Sequence, residues 1–287
     1  MRSSRPQQIS AARAVARRVA TGVGSLVVVT ALTVPVAGPA QATGKPRPFS
    51  DLYVASYNGE CTHVLSVIKN PRVTRTWEPV GGACNAASAM AVVRTVRTLG
   101  ARPEFVGAEY TLRGRPTGVT YAYPTTVTMD LPDGTTDGRA NYAGGYFDGV
   151  VYRFSRDWTD PVPLFSTGLF LGGIAYDPHT RSLWVLDSRT DFEAGTGEIR
   201  NYAMDGTLRS SFVVRGGSDP QPFALAYDAA DRTLWISRNR GFDTPALLEQ
   251  YSTHGRYLGS TTTSLTGIVG GLEFALRHPC RHHHHSR

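Results

Sequence analysis

Beyond residue 50 the chain is a succession of short apolar runs separated by clusters of Asp, Gly, Pro and Thr. Leu52–Tyr57, His63–Ile68, Ile174–Tyr176, Leu183–Leu186, Glu198–Tyr202 and Leu208–Val214 read as strands, and Asp177–Ser182 as a tight turn. Runs such as Ile-Ala-Tyr and Leu-Trp-Val do not alternate cleanly between apolar and polar. That pattern suits sheets covered on both faces. Between residues 85 and 117 the pattern is weakest, and Ala89–Leu99 fits a long strand or a helix equally.

The runs repeat. Residues 173–186 read Gly-Ile-Ala-Tyr-Asp-Pro-His-Thr-Arg-Ser-Leu-Trp-Val-Leu, and residues 224–237 read Ala-Leu-Ala-Tyr-Asp-Ala-Ala-Asp-Arg-Thr-Leu-Trp-Ile-Ser, an offset of 51 residues. A third copy starts at Gly271-Leu272-Glu273-Phe274-Ala275 and stops before its second half. Phe154, Tyr202 and Tyr251 mark a later position of the period, 48 and 49 residues apart. Self-similarity at this period, with four strands per unit, predicts an all-β fold: a β-propeller of four-stranded antiparallel blades. The length predicts about five blades (five to six). Leu52–Tyr57 and His63–Ile68 fit the second and third strands of an N-terminal blade, and Gly270–Leu276 supplies its innermost strand. The ring would thus close by pairing of the N- and C-terminal strands, which protects exposed strand edges.

The N-terminus changes how the charge is read. Arg2, Arg5, Arg13, Arg17 and Arg18 precede an apolar stretch from Val19 to Ala37 that ends at Ala40-Gln41-Ala42. This predicts a secretory signal peptide over residues 1–42, cleaved after Ala42. The formal charge of +7 falls to +2 once its five arginines are set aside. Only Lys45 and Lys69 supply lysine, the remaining arginines are scattered, and no basic stripe alternates with aromatics, so nucleic-acid binding is excluded. The organisation predicted is residues 43–50 as a linker, 51–276 as the propeller and 277–287 as a disordered His-rich tail, in a secreted, extracellular monomer without a stable membrane anchor. Of Cys61, Cys84 and Cys280, a Cys61–Cys84 disulfide is favoured in an oxidising compartment.

The run Gly-Gly-Ile-Ala-Tyr-Asp-Pro…Leu-Trp-Val resembles the blades of bacterial exported propellers, including NHL-repeat and lactonase- or lyase-like relatives. Residues 133–142 and 151–158 are most similar to exported propeller-like proteins often found with PEP-CTERM sorting tails. The chain lacks that tail. The resemblance covers roughly residues 118–275 and implies architecture; it implies no general activity.

Motifs for nucleophilic, zinc-dependent or phosphate chemistry are absent. Glu273 is the one catalytic candidate: it aligns with Ala175 and Ala226, so an innermost strand would carry it to the central channel as an acid, base or metal ligand. Loops after the second strand of each blade share one rim, where Asp187, Arg189, Asp191, Arg238, Arg240 and Asp243 form a candidate ligand-binding set. Asp130, Asp133 and Asp137 suggest calcium but lack EF-hand spacing, and turn formation accounts for them. His282, His283, His284 and His285 imply adventitious metal affinity only, and no cofactor is expected. His179 and His254 fall in predicted surface turns. The aligned channel positions, Ala, Ala and Glu, favour a non-enzymatic binding module for an extracellular glycan, peptide or protein. A propeller hydrolase or lyase with a metal or carboxylate in the channel is the alternative.

Overall fold

The computed structural model describes residues 50–59, 63–69, 72–127, 130–191, 195–216, 221–239 and 241–276. The signal-peptide, linker, Cys61, Cys280 and His-tail expectations therefore lie outside the described residues, apart from Ser50.

The regular elements among the described residues are all strands. β1 (Leu52–Tyr57), β2 (His63–Lys69) and β3 (Arg72–Trp77) come first. Four meanders follow. The first is β4 (Ala87–Val92), β5 (Thr95–Gly100), β6 (Gly107–Thr111) and β7 (Pro116–Tyr121). The second is β8 (Gly134–Thr136), β9 (Asn141–Gly144), β10 (Val150–Phe154) and β11 (Val162–Ser166). The third is β12 (Leu171–Asp177), β13 (Ser182–Asp191), β14 (Thr196–Ala203) and β15 (Leu208–Val213). The fourth is β16 (Pro222–Asp228), β17 (Thr233–Arg238), β18 (Pro245–Ser252) and β19 (Tyr257–Thr266). β20 (Ile268–Phe274) ends the fold.

These strands form five four-stranded antiparallel sheets, the blades of a five-bladed β-propeller. Blade 1 has the order β20-β1-β2-β3, and blades 2 to 5 are the meanders in chain order. Closure is as the repeat predicts: Leu52 pairs with Phe274 and Tyr57 with Ile268, with a register shift at Ala55/Ser56. The ambiguous 85–117 segment is neither one long strand nor a helix. Ala89, Met90, Ala91 and Val92 are all buried, so β4 is apolar on both faces, and a reversal after Val92 returns the chain as β5.

One apolar core fills each interface between neighbouring blades. Leu52, Val54 and Leu272 of blade 1 meet Ala226, Trp235 and Leu248 of blade 5. Ile199 and Trp184 of blade 4 meet Leu225 and Tyr251 of blade 5. The repeated Leu-Trp and Tyr positions are thus blade-to-blade contacts, which is why they recur. Gly206 and Gly255 recur for a backbone reason: φ is +87° and +78°, and an added Cβ would lie 2.6 and 2.7 Å from the Phe165 and Phe212 side chains. Only glycine suits both demands.

Candidate functional site

The inner strands β4, β8, β12, β16 and β20 surround the axis. Each leaves one backbone edge unpaired, and burial makes an unpaired N–H costly. Asp133, just before β8, meets that demand. One carboxylate oxygen accepts the N–H groups of Ile174 and Leu225 at 3.1 and 2.9 Å. The other accepts those of Leu272 and Gly134 at 3.1 and 2.9 Å. A single side chain therefore ties together four of the five inner strands. The equivalent positions Gly173, Ala224 and Gly271 are small.

Glu273 is buried on β20, as its repeat position predicts, and it reaches β8. The Tyr176 N–H donates to Thr135 Oγ1 at 3.0 Å, and that hydroxyl donates to Glu273 Oε1 at 3.0 Å. Burial drives both carboxyls above their ordinary ranges. The four N–H donors oppose the shift at Asp133, whereas the charge of Asp133 adds to it at Glu273. At Glu273 the Thr135 hydroxyl, the Thr136 N–H and the Arg156 charge oppose the rise. Beyond it, Arg156 donates to Thr136 Oγ1 at 2.7 Å, and Arg97 donates to the Arg156 carbonyl at 2.8 Å. No cluster of three His, Cys, Asp or Glu able to hold a metal occurs among the described residues.

The three aspartates that suggested calcium are sent to different tasks. Asp130 pairs with Arg102 at 3.2 Å. Asp133 holds the axis. Asp137 caps its own turn, accepting the Arg139 and Ala140 N–H groups, both at 2.7 Å, and the Tyr142 hydroxyl at 2.9 Å.

The inner strands begin at one face of the ring, and the second strands return to it. At this face a cavity of about 370 Å³ opens, lined by Ser56, Tyr57, Ser88, Phe105, Phe223 and Gly270 among others. Tyr57, Phe105 and Phe223 are its aromatic lining, and further rings adjoin them. Tyr57 meets Phe242 edge-on at 5.1 Å. Tyr146 contacts Phe147 at 4.9 Å, Phe223 at 5.8 Å and Phe170 at 6.1 Å. Every blade contributes to this crown, through Tyr57, Phe105, Tyr146, Phe170 and Phe223 in turn. Phe147, Phe242 and Val106 are 53%, 41% and 40% exposed, a high value for large apolar side chains. The Ser56 hydroxyl is buried without a hydrogen-bond partner.

The predicted rim belongs to this same face, but its residues divide. Asp243 is exposed beside Phe242. Asp187 is buried, and the backbone at Arg189 and Asp191 continues β13 rather than looping out. Arg240 lies outside the described residues, as do the side chains of Arg189 and Asp191. Arg238 is drawn inside: it is 1% exposed and donates to Glu249 at 3.0 Å and to the carbonyls of Gly195 and Arg215. His179 and His254 stand together at a groove on the opposite face.

The signal for the axial role of Asp133 lies in the repeat itself: carried back to β8, it puts Asp133 in the Gly173 and Gly271 column. The crown carries no sequence signal, since its rings come from different loop positions in different blades.

No protein-family model matches the chain, and no curated protein matches it in sequence. Its fold is similar to solved structures. A chain in the crystal structure of a nidogen/laminin complex aligns with TM-score 0.52 and 14% identity, over 79% of this chain and 98% of that one. A protein of unknown function from Bacteroides caccae aligns with TM-score 0.43 and 10% identity, over 78% and 98%. The first likeness supports the propeller architecture and nothing finer.

Proposed function

We propose that the protein is a secreted binding module that holds a protein partner against the aromatic crown. The observation that carries this reading is the crown itself: Tyr57, Phe105 and Phe223 line one cavity, Tyr146 and Phe170 extend the ring cluster from Phe223, and Phe147 and Phe242 are exposed beside them. Exposed apolar patches bordered by polar residues mark interaction surfaces, and aromatic anchors dominate binding energy. A fold-level neighbour found in a protein–protein complex agrees with such a use. The channel favours it too. The Asp133 carboxylate is taken up by main-chain donors, and neither it nor Glu273 lines the mouth cavity.

Export follows from the residue 1–42 pattern, and the blade resemblance makes a bacterial exported protein the natural reading. The mature chain should begin at Thr43, with Cys61 and Cys84 joined. N-terminal sequencing and non-reducing peptide mass spectrometry of the secreted protein check both.

The functional test places a photo-crosslinking amino acid at position 147 or 242 in the secreting cell, with exposed Val162 on the blade 3 edge as control. A discrete protein trapped from the crown but not from 162, and lost from position 147 on Phe242→Ser, is the expected result. Equal trapping at all three positions refutes the reading.

A further inference from the structure

On the opposite face, where the inner strands end, the cleft between blades 3 and 4 forms a groove of about 640 Å³. Arg139, Arg153 and Arg181 line it, and all three are exposed. The chain leaves each of them without a carboxylate at salt-bridge distance among the described residues. The one acid in the groove, Asp137, is already taken by its turn and by Tyr142. With Asp137 counted, the three arginines still leave the groove an excess of two positive charges, and folding alone gives no reason to gather them.

The neighbouring repeat supplies a comparison inside the same molecule. The cleft between blades 4 and 5 forms an equivalent groove of about 510 Å³. There His179 takes the place of Arg139, Asn201 that of Arg153, and Arg232 that of Arg181. Arg181 and Arg232 share left-handed backbone, with φ of 51° and 59°. The architecture is repeated; of these two grooves, the blade 3–4 one alone gathers three arginines.

We propose that the blade 3–4 groove binds an acidic peptide segment of a protein partner, carrying an apolar residue between or beside its carboxylates. The arginine forks suit carboxylates. Leu164, Met204 and Tyr176 form a half-buried floor for the apolar side chain, and a methionine there adapts to different occupants. A sugar would want an open ring face. Tyr142 is 3% exposed and offers none, and the near-parallel Tyr176 ring beside it, at 6.4 Å and 14°, is only half-buried floor.

A random decapeptide phage library panned on the full secreted protein tests this site. Clones enriched on the wild type should carry two or more Asp or Glu residues next to an apolar one. They should not enrich on Arg139→Ser/Arg153→Asn/Arg181→Asn. In that variant the asparagine at position 153 copies the neighbouring repeat, and the asparagine at position 181 tolerates left-handed backbone. A synthetic version of the leading peptide should bind the triple variant at least about tenfold more weakly, and should weaken as salt passes about 0.1 M. An unchanged melting curve confirms that the variant folds. Three results overturn the proposal: no acidic excess among the clones, undiminished enrichment on the triple variant, or loss of enrichment on Phe147→Ser/Phe242→Ser instead, which would move the peptides to the crown. A fourth does so as well: oligogalacturonate held by the arginines while the library yields nothing.

Discussion

Two polar centres in this propeller are built on opposite terms. On the axis, Asp133 is buried and accepts four main-chain N–H groups. In the blade 3–4 groove, three arginines stand in solvent with a single acid, Asp137, which among the described residues is at salt-bridge distance from none of them. A polar group inside a protein is tolerated when its hydrogen-bonding valences are used, and it then ties structure together. Charge left uncompensated on a concave surface is a cost that folding does not recover. The first arrangement therefore belongs to stability and the second to recognition. Substitutions in the two places should differ in sign as well as in size.

The sharpest test is Asp133→Ala. It leaves the N–H groups of Gly134, Ile174, Leu225 and Leu272 buried and unpaired, each costing about 1–3 kcal/mol. The expected loss is about 4 kcal/mol or more, read as a lower urea midpoint at unchanged slope. A loss near zero would show that water or neighbouring carbonyl groups satisfy the axis instead, and would end the contrast. Next in size is Glu249, a second buried carboxylate, bonded by Arg238 at 3.0 Å, Arg215 at 2.9 Å and the Tyr251 hydroxyl at 2.8 Å. Glu249→Leu strands the buried Arg238 guanidinium and should cost about 3–5 kcal/mol, whereas Glu249→Leu/Arg238→Met should recover most of it. That pair of denaturation curves separates a valuable ion pair from one that is merely dangerous to break.

This division explains what could be read from the chain beforehand. The blades were legible because Leu183-Trp184 of blade 4 and Leu234-Trp235 of blade 5 recur to pack against neighbouring blades. Ring closure was legible because Gly271–Phe274 is half of a repeat and demands a partner. Glu273 was correctly placed on an inner strand, but its surroundings depend on Asp133 and Thr135, some 140 residues away, and no local pattern encodes them. Arg238 reads as a surface loop residue from its neighbours, yet β17 continues through it and turns it toward Glu249. Arg139, Arg153 and Arg181 look scattered in sequence. They converge because the end of β8, the end of β10 and the β12–β13 turn meet at one blade interface.

Glu273 gives a smaller effect, visible through pH. Its folded pKa is raised above the ordinary value of 4.5. Between those two values the folded chain holds a proton that the unfolded chain has lost. Its contribution is therefore complete below 4.5 and declines as pH rises through the window, by at most about 1.4 kcal/mol per pH unit. Glu273→Gln should flatten that decline in melting temperatures taken across the window, and should match or exceed the wild type at its upper end. A wild-type slope retained in the variant would assign the titration elsewhere.

The smallest effect decides most about the comparison, because its sign is opposite. Arg139→Ser/Arg153→Asn/Arg181→Asn removes three exposed cations that share one groove with a single acid and form no salt bridge among the described residues. Such surface changes stay within about 0.5 kcal/mol. The expected direction is a slight gain in melting temperature at low salt that fades as salt screens the wild-type repulsion. A residue kept for stability loses stability when replaced; a residue kept for binding does not. If the triple variant instead melts lower, and does so independently of salt, the arginines hold the blade interface together, and the groove belongs with the axis after all.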